Sequence, residues 1–374
     1  MPYLVLEDKT IFAGEAFGAW PGAAGGTSAQ GRPPEGGQMG AVLGEVVFNT
    51  SMSGYQEMVT DLSYSGQILT LTHPQIGNYG WHDEENEAGK VFIKGIVVRE
   101  LSDGQGSRHA DRSLEQFCLK HGIRGLKGVD TRALTRHIRK HGTVPGVLAA
   151  SVEEGLAFWE GEIPWPKEHW VYQTTSQEAY EIPGPGALLA VLDLGAKRSI
   201  LRELRKRGFR LLVYPAWTSP EELLYENPAG LVLTNGPGDP AGLPEIVATV
   251  RQLLPKLPIL GICLGHQLLA LAAGAETYKL PFGHRGGNQP VQDLRSGKAT
   301  MTAQNHGYAV KESSLSGTGF ATVLKNLNDD TVEGMEHTVY PVFSVQYHPE
   351  GAPGPEENAE IFERFLRTIA KRQA

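Results

Sequence analysis

Short apolar runs alternate with helical patterns through the second half of the sequence, and this alternation restricts the fold more than any other feature. Apolar strands separated by amphipathic helices are typical of a parallel sheet covered by helices on both faces. Ligands bind to such sheets beyond the carboxyl ends of the strands. We therefore expect an α/β domain whose site lies at that edge of the sheet. The apolar runs are 188–192, 210–214, 230–233 and 258–262, and the helical patterns are 197–207, 221–225 and 243–254.

Cys263 stands where the last of these apolar runs gives way to a helical pattern of leucines. Gly261 and Gly265 flank it at two residues on either side, as in the sharp strand-to-helix turn that exposes a nucleophile. A cysteine there lies at a helix N-terminus, whose partial positive charge favours the reactive thiolate. The alternative is a buried and inert cysteine, the commoner state of this residue. Because mere packing does not require the two glycines, the pattern favours a catalytic nucleophile.

A histidine that can serve as the base lies near the end of the sequence. His348 follows the apolar run 342–345, and one proline separates it from Glu350. In an extended chain, residues two apart share a face, so the carboxylate of Glu350 can reach the imidazole of His348. Taken alone, His348 could simply end a strand beside a solvated Glu350. Together with the turn at Cys263, the residues predict a Cys263–His348–Glu350 triad in which the carboxylate orients the base.

Backbone amides are the expected hydrogen-bond donors to the oxyanion of the reaction. One is the N–H of Leu264, the residue after the nucleophile. The loop 234–240 contains Gly236, Gly238 and two prolines, and it follows an apolar run. Such a rigid loop can turn a second amide toward the nucleophile. On its own, the loop is equally consistent with a plain turn.

Two further polar, glycine-bearing loops are predicted in the same domain, at 282–288 and 304–308. They contain His284 and His306, which together with His266 are the candidates for a metal site. Because the histidines and cysteines lack the usual ligand spacings, we predict no metal. The sequence also lacks the Gly-x4-Gly-Lys-Ser/Thr loop that binds nucleotide phosphates. ATP binding by that route is therefore not expected.

The first half of the sequence predicts a second domain of mixed α/β type. An opening hairpin is expected over 4–18, and a strand, a helix and a strand over 45–72. The hydroxyl-rich loop 60–66, which contains Ser63, is most simply explained as a turn. The glycine-rich stretch 21–37 cannot bury enough apolar surface to fold, so it is predicted to be a mobile loop.

Length and charge set the remaining limits. A chain of 374 residues accommodates two domains, which we place at 1–150 and 188–374, joined by a proline-bearing connecting segment at 151–187 with the boundary near 181–186. The net charge of -8 argues against nucleic-acid binding. Two cysteines cannot form a disulfide framework, and neither a secretory signal nor an apolar run of membrane-spanning length is visible. We expect a cytoplasmic protein without membrane contact.

Several motifs, taken together, resemble known families. Those of the second half resemble the class I, or triad-type, glutamine amidotransferases. Those of the first half, with one from the start of the second domain, are similar to the small-subunit family of carbamoyl-phosphate synthase, so that the resemblance spans nearly the whole chain. The first set is 235–240, 261–267 and 348–350, and the second set is 44–57, 128–132 and 193–197.

This resemblance implies a glutaminase reaction. Cys263 would attack the side-chain amide of glutamine to give a thioester and ammonia, while His348 and Glu350 would transfer and orient the proton. Ser63 would contact the substrate from the first domain, contrary to the simplest explanation of its loop. Tyr308 would contribute mainly its backbone. The residues that the resemblance implies for binding L-glutamine and its oxyanion are Ser63, Gly236, Gly238, Leu264, Gln267, Asn305, Gly307 and Tyr308.

The resemblance also implies a partner, a large synthetase subunit that forms a heterodimer with this chain. That subunit would bind ATP, its metal ions and bicarbonate, take up ammonia through an enclosed route, and make carbamoyl phosphate for arginine and pyrimidine biosynthesis. This chain would then carry no cofactor of its own. One alternative is the glutaminase subunit of another complex, such as anthranilate or GMP synthase, but the first 180 residues do not resemble those proteins. The other alternative is a silent assembly subunit, which the complete triad argues against.

Overall fold

The computed structural model describes residues 1–21, 40–104, 110–163 and 169–373. The chain divides into two compact units, Met1–Lys167 and Glu168–Ala374. The loop predicted at 21–37 lies outside the described residues, apart from its first residue. No helix among the described residues is long and apolar enough to cross a membrane.

The first unit is a mixed α/β domain built on an eight-stranded sheet, as the sequence predicts. Its strand order is β2-β1-β10-β4-β5-β7-β9-β3, and the run from β4 to β9 is parallel. Cys118 is buried in the apolar core beside Phe117 and packs there as a small hydrophobe. The elements are β1 (Tyr3–Leu6), β2 (Ile11–Ala13), β3 (Glu15–Gly18), β4 (Val42–Asn49), α1 (Tyr55–Thr60), β5 (Gln67–Leu71), β6 (Gln75–Ile76), β7 (Gly95–Val97), β8 (Glu100–Leu101), α2 (Leu114–His121), β9 (Arg124–Lys127), α3 (Thr131–His141), β10 (Val144–Ala149) and α4 (Val152–Phe158).

The second unit is organised on a ten-stranded sheet with the order β11-β13-β12-β14-β15-β20-β19-β18-β16-β17. The five strands from β13 to β20 are parallel, which confirms the predicted parallel sheet. The elements are α5 (Trp170–Thr174), β11 (Tyr180–Ile182), β12 (Leu188–Asp193), α6 (Arg198–Lys206), β13 (Arg210–Pro215), α7 (Pro220–Tyr225), β14 (Gly230–Leu233), α8 (Pro244–Leu253), β15 (Ile259–Ile262), α9 (Leu264–Ala272), β16 (Thr277–Asp293), β17 (Ala299–Val310), β18 (Phe320–Asn326), β19 (Val332–His337), β20 (Val342–Val345) and α10 (Glu360–Gln373).

The central strands of this sheet send side chains alternately into two apolar layers. Leu189 and Val191 of β12 belong to the layer that contains α6 and α10, whereas Ala190 and Leu192 belong to the layer that contains α8 and α9. Each fully buried leucine, isoleucine or phenylalanine contributes about 1.5–3 kcal/mol relative to an exposed one. Burial on both faces explains why these strands form continuous apolar runs in the sequence.

Two details of the structure differ from the sequence-based expectation. The predicted connecting segment 151–187 contains α4, α5 and β11, and the chain divides at Lys167 rather than near 181–186, because β11 pairs with β13 of the second sheet. The polar stretches 282–288 and 304–308 are not loops. They lie opposite each other in β16 and β17, where Arg285 pairs with Asn305. Their glycines suggested turns, but Gly283, at φ 70°, lies where the pairing register shifts.

Candidate active site

Cys263 occupies the sharp turn between β15 and α9. Its backbone has φ 53° and ψ -103°, a conformation that non-glycine residues rarely adopt and that is found chiefly where surrounding structure enforces it. The N–H of Cys263 donates to the carbonyl of Val345 at 2.9 Å, so the turn is fixed to the end of β20. Strand pairing and this strained turn together place the sulfur at the carboxyl edge of the parallel sheet.

Both glycines of the turn are required by space, as the sequence predicts. A Cβ atom on Gly265 would lie 2.3 Å from the carbonyl oxygen of Leu233, and one on Gly261 would lie 2.8 Å from the carbonyl oxygen of Gly265. These contacts are with backbone atoms of neighbouring elements, which cannot rotate away. The turn therefore depends on the absence of side chains at both positions.

We expect Gly265→Ala to lower the free energy of unfolding by about 1–3 kcal/mol, the usual range for overpacking a close-packed site. Activity should fall as well, because relief of the clash moves α9 and the turn at Cys263. Gly161→Ala is the matched control, since its nearest neighbour would be 3.8 Å from the added Cβ. Denaturant unfolding of both variants tests the prediction, which fails if the two lose equal stability.

The sheet brings the predicted base to the same edge. β15 and β20 are parallel neighbours with Ile262 opposite Val345, so the residues that follow them leave the sheet side by side. The N–H of His348 donates to the carbonyl of Ala303 at 2.8 Å, and Cys263 Sγ lies 3.8 Å from the carbonyl of Asn305. Both side chains are buried. β17 thus contacts Cys263 and His348 within three residues of its own length.

Glu350 contacts the ring of His348, as the triad requires. His348 Nδ1 lies 2.7 Å from Glu350 Oε1, and the Lys197 Nζ atom donates to the same oxygen at 2.7 Å. Lys197 also donates to the carbonyl of Ala352. Neither side chain of the Lys197–Glu350 ion pair is more than 2% exposed. The contact of Lys197 with Glu350 is not predictable from the sequence, because 153 positions separate the two residues.

Charges in this buried group shift the pKa values of His348 and Glu350 in opposite directions. Burial lowers the pKa of His348, but the Glu350 carboxylate and the side chain of Cys263 outweigh it and raise the pKa above its ordinary value. Burial raises the pKa of Glu350, but Lys197 and His348 outweigh it and lower the pKa to about 2. Glu350 is therefore ionised at neutral pH, and the ring of His348 holds a proton readily. These are the properties of a base that accepts a thiol proton.

His348 Nε2, the atom not bound to Glu350, is buried without a partner of hydrogen-bond geometry among the described residues. The side chain of Cys263 is nevertheless near enough to raise the pKa of His348. Catalytic hydrogen bonds often become well aligned only with substrate in place. Nε2 is thus the ring atom available to exchange a proton with the thiol.

The loop after β14 braces the turn at Cys263. The N–H of Gly265 donates to the carbonyl of Thr234 at 3.1 Å, and a Cβ on Gly236 would lie 2.2 Å from the carbonyl oxygen of Leu194 and 2.8 Å from a methyl carbon of Leu264. Gly238 has φ 91°, which favours glycine. The structure therefore brings the Gly236–Gly238 loop and the first turn of α9 together, and the amide of Leu264 is among those that lack an acceptor within the helix.

The residues predicted to hold the amino-acid end of glutamine lie on β17 and on the facing side of α9. Gln267 Nε2 donates to the carbonyl of Tyr308 at 2.8 Å and to Gln346 Oε1 at 3.0 Å. Asn305, whose carbonyl faces Cys263, and Gly307 both precede Tyr308 on β17. The roles of these residues toward the substrate stay predictions.

His284 on β16 and His306 on β17 lie opposite each other, with ring centroids 5.0 Å apart, whereas His266 lies apart and contacts Ser344 Oγ at 2.9 Å. His284 pairs with Asp329 at 2.8 Å, and both histidines contact Gln304 Oε1. One ring nitrogen of each histidine and a Glu333 oxygen lie within 4.8 Å of one another. Burial lowers the pKa of His284, but hydrogen bonds to Asp329 and Glu333 outweigh it and raise the pKa to about 9. The group links the β18–β19 hairpin to β17.

Ser63 belongs to the first unit, in a short 3-10 helix at Leu62–Tyr64. It is buried, and its N–H donates to Asp61 Oδ1 at 2.9 Å. The turn expected from the sequence is therefore present at this position. Its role toward the substrate stays a prediction.

Comparison with known proteins identifies the family of the chain. Residues 4–148 match the family described as carbamoyl-phosphate synthase small chain, CPSase domain, and residues 190–368 match glutamine amidotransferase class-I. A carbamoyl phosphate synthase small chain from Oceanobacillus iheyensis is 46% identical over 372 residues, covering 98% of this chain and 95% of the relative. The chain belongs to the carbamoyl-phosphate synthase small-chain family.

Other members of this family are equally similar over their whole lengths. The small chain of Symbiobacterium thermophilum is 48% identical over 373 residues and covers 97% of each chain, and the pyrimidine-specific small chain of Bacillus subtilis is 44% identical and covers 98% of this chain and 95% of its own. The resemblance found in the motifs is thus confirmed, as is the enzyme class, a glutamine-hydrolysing small subunit. The match of the first unit separates this family from amidotransferases that share only the second.

Proposed function

We propose that Cys263, His348 and Glu350 of this small subunit release ammonia from L-glutamine. The proposal depends on a buried hydrogen-bonded chain at the edge of the sheet. Lys197 and His348 both contact Glu350 Oε1, and His348 lies beside Cys263. In the first step His348 Nε2 accepts the thiol proton while the sulfur attacks the side-chain carbonyl carbon of glutamine. The resulting oxyanion accepts hydrogen bonds from the amide of Leu264 and from the Gly236–Gly238 loop.

Collapse of this intermediate breaks the carbon–nitrogen bond, and the protonated ring of His348 donates its proton to the leaving nitrogen. The products are ammonia and a glutamyl thioester on Cys263. A water molecule, deprotonated by His348, then attacks the thioester and releases glutamate and the free thiol. Gln267, Asn305, Gly307 and the Tyr308 backbone hold the amino-acid end of the substrate.

Ammonia released in this way is mostly protonated in neutral water and is then no longer a nucleophile. We infer that it passes by an enclosed route to a large synthetase subunit, which binds ATP and its metal ions and uses bicarbonate to make carbamoyl phosphate. The small chain needs no cofactor for its own step. The product would serve arginine and pyrimidine biosynthesis, and the pyrimidine-specific name of one relative supports the second of these pathways.

The direct test is glutaminase activity of the purified chain, measured with and without its large partner. The proposal expects glutamate production that depends on Cys263 and that increases when the partner and its substrates are present. A silent assembly subunit would release no glutamate under either condition, and that result would overturn the proposal.

A further inference from the structure

Residues near the start of the second unit contact the loops that follow β12 and β14 in the candidate site. We call residues 169–176, which contain α5, the bridging segment. Its far end is fixed by Thr175, whose Oγ1 donates to the carbonyl of Asp193 at 2.6 Å and accepts from the N–H of Ala216 at 2.9 Å. The N–H of Ser176 donates to Asp193 Oδ2 at 2.8 Å. The segment is thereby attached to the residues that end β12 and follow β13.

At its near end, His169 lies directly on the Gly236–Gly238 loop. A Cβ atom on Gly238 would lie 2.6 Å from both Cε1 and Nε2 of the imidazole, so the ring occupies the space beside that glycine. His169 Nε2 lies 3.0 Å from the carbonyl oxygen of Asp239. The Nδ1 atom accepts from the N–H of Val171 at 3.2 Å and caps α5. These two partners fix the neutral tautomer, with the proton on Nε2 donated to Asp239.

The middle of the bridging segment joins both loops. A Cβ on Gly195 would lie 3.1 Å from Thr174 Oγ1 and 3.1 Å from Pro237 Cδ. Gly195 belongs to the loop that leads to Lys197, the partner of Glu350. Asp193 Oδ1, in turn, accepts from the N–H groups of Gly195 and Ala196 at 2.9 and 2.8 Å. The segment therefore packs against the two loops that carry Lys197 and Gly238.

We propose that the bridging segment positions these loops for glutamine hydrolysis, and that His169 is the positioning residue that holds Gly238 through its ring and its hydrogen bond to Asp239. The inference rests on the proposed function, in which the Gly236–Gly238 loop faces the oxyanion. A loop with two glycines has many accessible backbone conformations, and the one observed places Gly238 at φ 91°. The imidazole of His169, packed against Gly238 and hydrogen-bonded to the carbonyl of Asp239, removes most of the other conformations.

The test replaces His169 by asparagine in the complex of this chain with its large subunit. Asparagine is a favourable helix N-cap, so it retains an acceptor for the Val171 N–H. Its shorter side chain cannot also cover Gly238 and donate to Asp239. We expect His169→Asn to lower kcat for glutamine hydrolysis by about 10- to 100-fold, the scale associated with a small misplacement of catalytic groups. The thermal unfolding midpoint and the ammonia-dependent synthesis should not change.

Two results would overturn the inference. Unchanged kcat in His169→Asn would show that the ring does not position the loop. A loss of kcat that accompanies an equal loss of ammonia-dependent synthesis or of folded protein would show that His169 is only structural. Cys263→Ala, assayed in parallel, distinguishes a failure of the proposed function from a failure of the inference about the bridging segment. If Cys263→Ala still hydrolyses glutamine, the proposed function fails. If it is inactive while His169→Asn behaves as wild type, only the inference about the bridging segment fails.

Discussion

Replacement of Cys263 by serine is expected to abolish glutamine-dependent synthesis in the complex, while free ammonia still supports it. In the proposed reaction the sulfur forms the thioester, and the hydroxyl of serine is a far weaker nucleophile beside the same base. Substitution of one atom leaves the turn, with its positive φ, and the packing around it unchanged. Ammonia bypasses the glutaminase step, so its use reports on the rest of the complex. Rates of carbamoyl phosphate formation with each nitrogen source provide the measurement.

Cys118→Ala is the matched control for this experiment. Cys118 is the other cysteine of the chain, fully buried in the core of the first unit. Burial raises the pKa of its thiol, which keeps it protonated and unreactive. We expect this variant to retain both activities. Loss of both activities in Cys263→Ser would instead indicate a structural role for Cys263.

The second large effect is expected for Lys197→Met. Removal of the ammonium leaves the Glu350 carboxylate buried without its cation, and breaking a buried ion pair in this way typically costs about 3–5 kcal/mol. Methionine fills a similar volume, so the loss reports on charge. Glu350 would then tend to take up a proton, and a neutral carboxyl group cannot stabilise the His348 imidazolium. We therefore expect kcat for glutamine hydrolysis to fall together with the free energy of unfolding.

The pH dependence of the free energy of unfolding should also differ between the wild type and Lys197→Met. Because the pKa of Glu350 is lowered from 4.5 to about 2, its contribution is present above pH 4.5 and is lost as the pH falls toward 2. In Lys197→Met the loss on acidification should be complete at a higher pH than in the wild type, because the interaction that contributes most to lowering the pKa of Glu350 is gone. Lys206→Met is the control, since Lys206 forms an exposed pair with Glu203, and such pairs contribute about 0–1 kcal/mol. Equal losses in the two variants would show that the buried Lys197–Glu350 pair does not have this role.

The sequence was sufficient for the parts of the site that lie within short stretches of chain. The turn at Cys263 is specified locally by Gly261 and Gly265, and His348 and Glu350 are only two positions apart. The apolar runs located the parallel strands because burial on both faces leaves no polar positions in them. Each of these features depends on neighbours in the chain.

Features that depend on distant pairing could not be predicted in the same way. Lys197 reads as an ordinary residue before a helix, and only the adjacent placement of β12, β14, β15 and β20 brings it to Glu350. The stretches 282–288 and 304–308 contain glycine and polar residues typical of loops, but pairing across the β16–β17 ladder makes them strands. His169 lies in a segment without clear periodicity, and its contacts with Gly238 and Asp239 join residues about 70 positions apart in the chain.

Covalent labelling tests most directly whether Cys263 is the nucleophile that attacks glutamine. The complex is treated with a glutamine analogue that carries a chloroketone in place of the amide, and its peptides are examined by mass spectrometry. We expect one label per small chain, on the peptide that contains Cys263, with protection by glutamine and loss of glutaminase activity in proportion to labelling. Inactivation with the label on another residue, or full labelling of Cys263 with glutaminase activity retained, would contradict this role of Cys263.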